Sequence, residues 1–173
     1  MRVFEAVQTV LATRSYRPEP LPEESVRKIL EAGRLTGSSM NKQPWHFIAV
    51  EDREDLQRIG EMAGTGPYIA EAGLAVAVAI EDTQYSVSDA SRAIQSMILT
   101  AWEDGIHSNW VGFFGLEDIQ AYLEIPPELD LLAVVPFGYS GRPSGEGKKD
   151  RKPFAQVVHR GRFGQPFQKK DSQ

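Results

Sequence analysis

Apolar residues recur every three or four positions in three long segments of the chain, which is the spacing of one face of an α-helix. The first segment ends near Thr13, the second runs from Pro22 to Gly33, and the third runs from Val87 to Asp104. Gly105 follows the third segment directly, where glycine commonly ends a helix. We predict a helix for each segment and expect the third, which has the widest apolar face, to lie in the core.

Between these helices the pattern changes to short apolar runs that are typical of strands. The run AGLAVAVAI at 72–80 is apolar on both faces, so we expect a central strand that helices cover on each side. Because proline lacks a backbone N–H, Pro136 predicts an edge strand or a strand end. The other predicted strands are 47–50, 109–114 and 131–137, and two short helices are predicted, one capped by Asp52 and one at 119–123.

Strands and helices alternate irregularly along the chain, which favours an α+β fold over a regular series of βαβ units. A length of 173 residues suits one domain with one core. We therefore predict a single domain over residues 1–173, with 159–173 as a polar C-terminal tail. This tail carries Phe163 and Phe167, and two interpretations stay open: it packs on a partner subunit, or it is a disordered end.

Composition excludes several kinds of site and partner. The chain has no cysteine, so it forms no disulfide or thiolate metal site, and this fits a cytoplasmic location. Its three histidines lie far apart in the sequence, and we expect no metal site. We expect neither a secretory signal nor a membrane span, because no apolar run reaches the roughly 18 residues that a span needs. The net charge of −5 argues against nucleic-acid binding.

Sequence motifs of three enzyme classes do not occur. The chain lacks the G-x-S-x-G of serine hydrolases and the G-x-G-x-x-G of dinucleotide-binding folds. The loop GRPSGEGKKD has Glu146 where a phosphate-binding loop needs its second glycine. Two short basic stretches, TRSYR at 13–17 and KKDRK at 148–152, are each typical of a solvated surface. If the fold brings them together, they form a site for a phosphate monoester.

Taken in order, five segments of the chain resemble the nitroreductase family of flavin-dependent oxidoreductases. The most specific of them is GSSMNKQPWHFIAV at 37–50, a polar loop before a strand, and the others are TRSYR, AIQSMILTAWEDGIHSNWVGFF, VVPFGYSGRP and KKDRKP. The resemblance implies an α+β fold with a central mixed or antiparallel sheet flanked by helices. It also implies an intertwined homodimer with two molecules of flavin mononucleotide (FMN) in the dimer interface.

The activity that the resemblance implies is that of an FMN-dependent NAD(P)H oxidoreductase. Such an enzyme takes electrons from NADH or NADPH and reduces small planar acceptors, such as nitroaromatics or quinones, by ping-pong hydride transfer. Two alternatives stay open. One is a specialised flavoenzyme of the same fold, such as a dehydrogenase or a reductive dehalogenase, and the other is a non-catalytic flavin-binding protein.

The resemblance also implies which residues bind the phosphate end of FMN. Arg14 and Ser15, together with Lys149 and Arg151, would hold the phosphate. Arg17 would lie near the ribityl chain and the N1/O2 edge of the flavin ring, where a cation favours the reduced form.

The rest of the implied site comes from the polar loop and from the segment before 113. Ser38 and Asn41 of the second subunit would reach the phosphate and ribityl side, and Gln43 would support their loop. Met40 would line the substrate pocket. The chain at Trp110, Val111 and Gly112 would pass along the flavin, with backbone N–H groups toward N5 and O4.

Three positions depart from the family pattern. Thr13, Gly37 and Ser96 stand where the family often has arginine, proline and asparagine, respectively. The fold has to supply other partners for the groups around them.

Overall fold

The computed structural model describes residues 2–112, 115–141 and 149–167. The last two positions of the predicted strand 109–114 and the tail beyond 167 lie outside the described residues. The helices are α1 (Val3–Thr9), α2 (Glu23–Arg34), α3 (Arg53–Met62), α4 (Ser86–Glu103), α5 (Glu117–Tyr122) and α6 (Phe154–Val157). The strands are β1 (Trp45–Val50), β2 (Leu74–Glu81), β3 (His107–Ser108), β4 (Val111–Gly112) and β5 (Leu129–Gly138), and short 3-10 helices cover Ser39–Asn41 and Pro67–Glu71.

The five strands form one antiparallel sheet. β2 lies between β1 and β5, and both β3 and β4 pair with the other edge of β5. The one parallel pairing among the described residues is an isolated bridge between Ala12 and Ser108. With helices on both sides of this sheet, the predicted α+β class is confirmed.

β2 is the central strand that the apolar run predicts. Its Leu, Val and Ile side chains pack with α2 and α4 on one face, and its alanines pack with α3 and α5 on the other. All its residues except Glu81 are buried. The alternation of large and small apolar residues therefore fits the two faces of the sheet, because side chains of a strand point to opposite faces in turn.

Of the two positions predicted for Pro136, the edge strand is wrong, whereas the proline does lie near a strand end, two residues before β5 stops at Gly138. β5 has neighbours on both sides, and Pro136 lies opposite Ala75 of β2. Its missing N–H faces the gap between β3 and β4, where the Pro136 carbonyl accepts from Asn109 N (3.4 Å). The proline is tolerated inside the sheet because the neighbouring strand is interrupted at that point.

The main helices agree with the sequence pattern, apart from the first. α4 covers 86–103 with Gly105 at a φ of 72° just after it, and Asp52 caps α3 by accepting from the N–H groups of Glu54 and Asp55. α1 ends at Thr9 rather than near Thr13. The chain leaves the helix there because Thr13 N donates to Ser108 O (2.9 Å), which draws residues 10–13 alongside β3.

Candidate functional site

The first basic stretch lies beside the segment that follows β5. Arg17 N donates to Tyr139 O (2.9 Å), and Gly141 N donates to Ser15 O (3.0 Å). Between them Tyr16 is buried, and its hydroxyl donates to Thr13 O (2.8 Å). Burial also raises the pKa of Tyr16, so the hydroxyl remains a donor. Tyr16 therefore anchors the stretch.

The cationic side chains of this stretch stay at the surface. Arg14 is exposed. Arg17 forms an ion pair with Glu19 (2.9 Å), and its guanidinium carbon lies 5.3 Å from the centre of the Tyr139 ring. Arg14 is therefore open to a ligand, whereas Arg17 is held by an acid and an aromatic ring of its own chain.

Thr13 joins the basic stretch to β3. Its Oγ1 lies 3.0 Å from His107 Nδ1, and its N–H is the group bound by Ser108 O. Burial lowers the pKa of His107, which favours the neutral ring. Where the family often has arginine, this chain therefore has a threonine whose side chain and backbone make structural contacts with β3.

The second basic stretch lines a cavity of about 700 Å³. Lys149 and Arg151 lie there, and Lys149 Nζ donates to Val7 O (2.6 Å). Burial, and to a lesser degree the neighbouring Arg151 guanidinium, lowers the pKa of Lys149. A bound anion would offset both effects. The remaining lining residues are Val7, Gln8, Val10 and Gln95.

A second cavity of about 250 Å³ adjoins the first. The two share Val10 and Gln95, and we call them together the trough. The second cavity is lined mainly by residues 10–12, by Ile98 of α4 and by the segment Ser108–Trp110. The trough therefore runs from two cations to the start of β4.

β4 passes very close to β5. Val111 pairs with Val134 and Gly112 with Ala133. A β-carbon on Gly112 would lie 2.7 Å from Leu132 O and 2.7 Å from Trp110 Nε1. Only glycine fits this position without a shift of the strands, so the sheet itself already requires it.

The residues of the trough fit FMN by their chemistry. An ammonium and a guanidinium at one end suit a phosphate, and the combined volume lies in the range of known ligand sites. The other end has apolar walls and the backbone of 108–110, which suit a flat ring. Among the described residues, no hydrogen bond or ion pair joins Arg14 or Ser15 to Lys149 or Arg151. In the part of the chain that the structure describes, Lys149 instead contacts Val7 through its bond to the carbonyl.

The polar loop before β1 has an unusual backbone. Met40, Asn41 and Gln43 have φ values of 52°, 54° and 53°, in the left-handed region. This region costs about 1–2 kcal/mol for each non-glycine residue. Ser38 offsets part of this cost, because its Oγ accepts from Gln43 N (2.8 Å) and its carbonyl accepts from Asn41 N (3.1 Å). Met40 is 72% exposed at the turn of the loop.

Asp89 is a residue that the sequence reasoning missed. Its carboxylate accepts from Ser39 N (2.9 Å) and Ser39 Oγ (3.0 Å), and it pairs with Arg92. Burial opposes its ionisation most strongly, but the bonds from Ser39 and Arg92 outweigh burial and lower the pKa of Asp89. The pattern held a signal for it, because Asp89 falls on the same buried stripe of α4 as Ala93 and Met97.

The loop and the trough touch different sides of α4. The loop region contacts α4 at Asp89 and at Ser96, whose Oγ lies 2.8 Å from Thr36 Oγ1. The trough contacts α4 at Gln95 and Ile98. At 100° per residue the centres of these two sides lie about 140° apart around the helix. The loop of a chain therefore does not cover that chain's own trough.

Two further kinds of feature are missing from the described parts of the chain. Residues 2–112, 115–141 and 149–167 contain no group of three or more metal-ligand side chains placed to share an ion. None of the helices found there has both the length and the apolar character needed to cross a membrane.

Comparisons with known proteins agree on one family. The family model described as Nitroreductase matches residues 11–79 and 70–139. A protein of Methanothermobacter thermautotrophicus assigned as an NADH dehydrogenase/NAD(P)H nitroreductase is 33% identical over 84% of this chain and 81% of its own. A protein of Archaeoglobus fulgidus with the same assignment is 32% identical over 91% of both chains. The structure of an FMN-dependent nitroreductase from Clostridium difficile superimposes with a TM-score of 0.82 at 24% identity, covering 92% of this chain and 99% of that one.

Proposed function

The chain belongs to the nitroreductase family, and from this premise we propose that it is an FMN-dependent NAD(P)H oxidoreductase. It reduces small planar acceptors, such as nitroaromatics or quinones. We also propose that it works in the cytoplasm, which its complete lack of cysteine fits.

The observation that carries this proposal is the trough with its pair of cations. Lys149 and Arg151 lie at one end, where charge-assisted hydrogen bonds bind a phosphate strongly. The cations stand out in a protein whose net charge is −5. Arg14 and Ser15 of the first basic stretch add a guanidinium and a hydroxyl from the neighbouring segment.

When bound, FMN supplies the redox chemistry, so the protein needs no acid or base of its own for electron transfer. The chain binds and orients this group. The chain at Trp110, Val111 and Gly112 would pass along the ring with backbone N–H groups toward it. The Trp110 N–H donates to Asn109 Oδ1 (2.8 Å) in the single chain, so it would have to exchange that partner for the flavin. Arg17 would provide positive charge near the N1/O2 edge of the flavin after its ion pair with Glu19 breaks.

We propose that the active form is a homodimer in which each subunit completes the site of the other. Ser38, Asn41 and Gln43 then reach the FMN of the partner, and Met40 lines the pocket for the acceptor. The position of their loop on the side of α4 away from the trough supports this arrangement. α1 supports it as well, because Val3 is 77% exposed and Phe4 is 71% exposed in the single chain.

The C-terminal tail is the second surface that supports a dimer. Residues 159–166 fold back on themselves through the bridge from His159 to Pro166. Phe163 at its turn is 91% exposed. We propose that this part of the tail packs on the partner subunit, where the phenyl ring would be buried.

Anaerobic spectroscopy of the purified protein tests the function. We expect bound FMN, loss of its visible absorbance on addition of NADH or NADPH, and its return on addition of nitrofurazone or menadione. FMN that stays oxidised with both nicotinamides would refute the reductase and favour a flavin-binding protein without turnover. FMN that is reduced but not reoxidised by either acceptor would favour a more specialised flavoenzyme.

A further inference from the structure

We infer that Asp89 is a positioning residue, which holds the loop 38–43 in the conformation that binds FMN across the dimer interface. This inference rests on the proposed function. It assigns to a buried carboxylate of the core helix a role in cofactor affinity, although the residue lies on the side of α4 away from the trough.

The backbone of the loop needs contacts that hold it in place. Three of its residues, Met40, Asn41 and Gln43, have left-handed backbone conformations. Such conformations persist only where surrounding contacts hold them. The internal bonds from Ser38 tie the loop to itself but do not attach it to the rest of the fold.

Asp89 attaches the loop to the core helix. Ser39 is the loop residue bound to the core, and both oxygens of Asp89 accept from it, one from the amide and one from the hydroxyl. The side chain of Asp89 is 1% exposed. A bond to a buried, charged acceptor is stronger than a neutral surface bond. Arg92 neutralises this carboxylate and lies 3.5 Å from Ser39 Oγ through Nη2.

The contact with Asp89 favours the conformation of the loop that binds FMN. Ser39 lies directly between Ser38 and Met40, so the contact with Asp89 fixes the residues on both sides of it. If only part of the molecules hold the binding conformation, the apparent affinity for a ligand falls by that fraction. Loss of Asp89 should therefore weaken FMN binding without any change in the cations of the trough.

The experiment measures the dissociation constant of FMN, by flavin fluorescence, for the full-length protein freed of cofactor. We expect Asp89→Ala to weaken binding about tenfold to a hundredfold, the usual effect of losing charge-assisted hydrogen bonds. Asp89→Asn should restore part of the affinity, because the amide oxygen can still accept from Ser39 N, while the amide nitrogen takes the place of the oxygen that pairs with Arg92. Ser39→Ala, which keeps the amide bond, should fall between the two. Ser39→Ala and Asp89→Asn also keep the test valid if Asp89→Ala does not fold.

The control is Asp104→Ala, which removes another carboxylate at the end of α4. Asp104 pairs with Lys28 of α2 (2.9 Å) and does not touch the loop. We expect this variant to bind FMN as the unmodified protein does. Equal affinity of Asp89→Ala and Asp104→Ala for FMN would overturn the inference.

A double-mutant cycle separates positioning from general stability. If Asp89 acts through the loop, Asn41→Ala should weaken FMN binding in the unmodified protein and have little further effect in Asp89→Ala. If Asp89 only stabilises the fold, the two effects add, and the inference is wrong. Failure of the unmodified protein to bind FMN would refute the proposed function, and the inference with it. Normal binding by the unmodified protein and by every Asp89 variant would refute the inference alone.

Discussion

The replacement Gly112→Ala tests whether the close approach of β4 to β5 shapes the FMN site. A new β-carbon would lie 2.7 Å from Leu132 O, 2.7 Å from Trp110 Nε1 and 3.0 Å from Ala133 Cβ. Two of these distances are shorter than any ordinary carbon contact. Because one of the atoms is a backbone oxygen in the centre of the sheet, side-chain rotation alone cannot relieve the overlap.

The expected loss of stability follows from the cost of overpacking, typically about 1–3 kcal/mol. For a domain of this size each kcal/mol lowers the melting temperature by about 2–4 °C. Gly112→Ala should therefore lower the melting temperature by about 2–12 °C. A displaced β4 would also weaken a neutral backbone hydrogen bond to the flavin, so the dissociation constant of FMN should rise about twofold to tenfold.

Gly64→Ala is the matched control, because no atom lies within 4 Å of a β-carbon built there. Its melting temperature and FMN affinity should stay close to those of the unmodified protein. Thermal melts without FMN and fluorescence titrations with FMN measure both quantities. If Gly112→Ala matches Gly64→Ala in both assays, the strands are not as close as described, and the argument for glycine at 112 fails.

Two pH effects can be predicted from ionisable groups whose pKa values are shifted. The lowered pKa of Lys149 means that this residue loses its proton before an ordinary lysine does as the pH rises toward 10.5. FMN affinity should therefore fall at alkaline pH, whereas Lys149→Arg, which stays charged, should keep it; identical titration curves would remove Lys149 from the phosphate site. The lowered pKa of His107 means that the unfolded chain takes up a proton more readily than the folded protein below about pH 6.5. The melting temperature should therefore fall with the pH in that range, and less so in His107→Gln; an equal fall in both proteins would assign the acid sensitivity to other groups.

The sequence pattern predicted those elements whose local signals agree with their tertiary environment. The core helix and β2 are apolar on the faces that the fold buries, so their periodicity suffices. The cap at Asp52 depends only on residues within three positions of it. The edge-strand prediction for Pro136 failed because the environment of the proline depends on the gap between β3 and β4. Those strands are distant in sequence, and no residue near the proline indicates the gap.

The candidate site divides in the same way. The family resemblance supplies the residue types, and the structure supplies a cavity that contains Lys149 and Arg151. Local sequence patterns could not predict a contact between residues 50 positions apart, such as that of Ser39 with Asp89. The contact of Thr13 with His107 could not be predicted either, because the two residues lie 94 positions apart.

The two halves of the proposed site depend on different contacts. The trough is built from α1, α4, the segments 10–12 and 108–110, and Lys149 with Arg151, all of one chain, so it forms when that chain folds. The loop 38–43 is held by Asp89 on another side of α4, so it is shaped by its own chain, and in the dimer proposed above it would serve the site of the partner. If the dimer is required for a complete site, FMN binding and dimer formation are linked equilibria. The free energy by which FMN stabilises the dimer then equals the free energy by which dimer formation strengthens FMN binding. A substitution at Asp89 would then act on both, although Asp89 touches neither the trough of its own chain nor, in the arrangement proposed above, the cofactor.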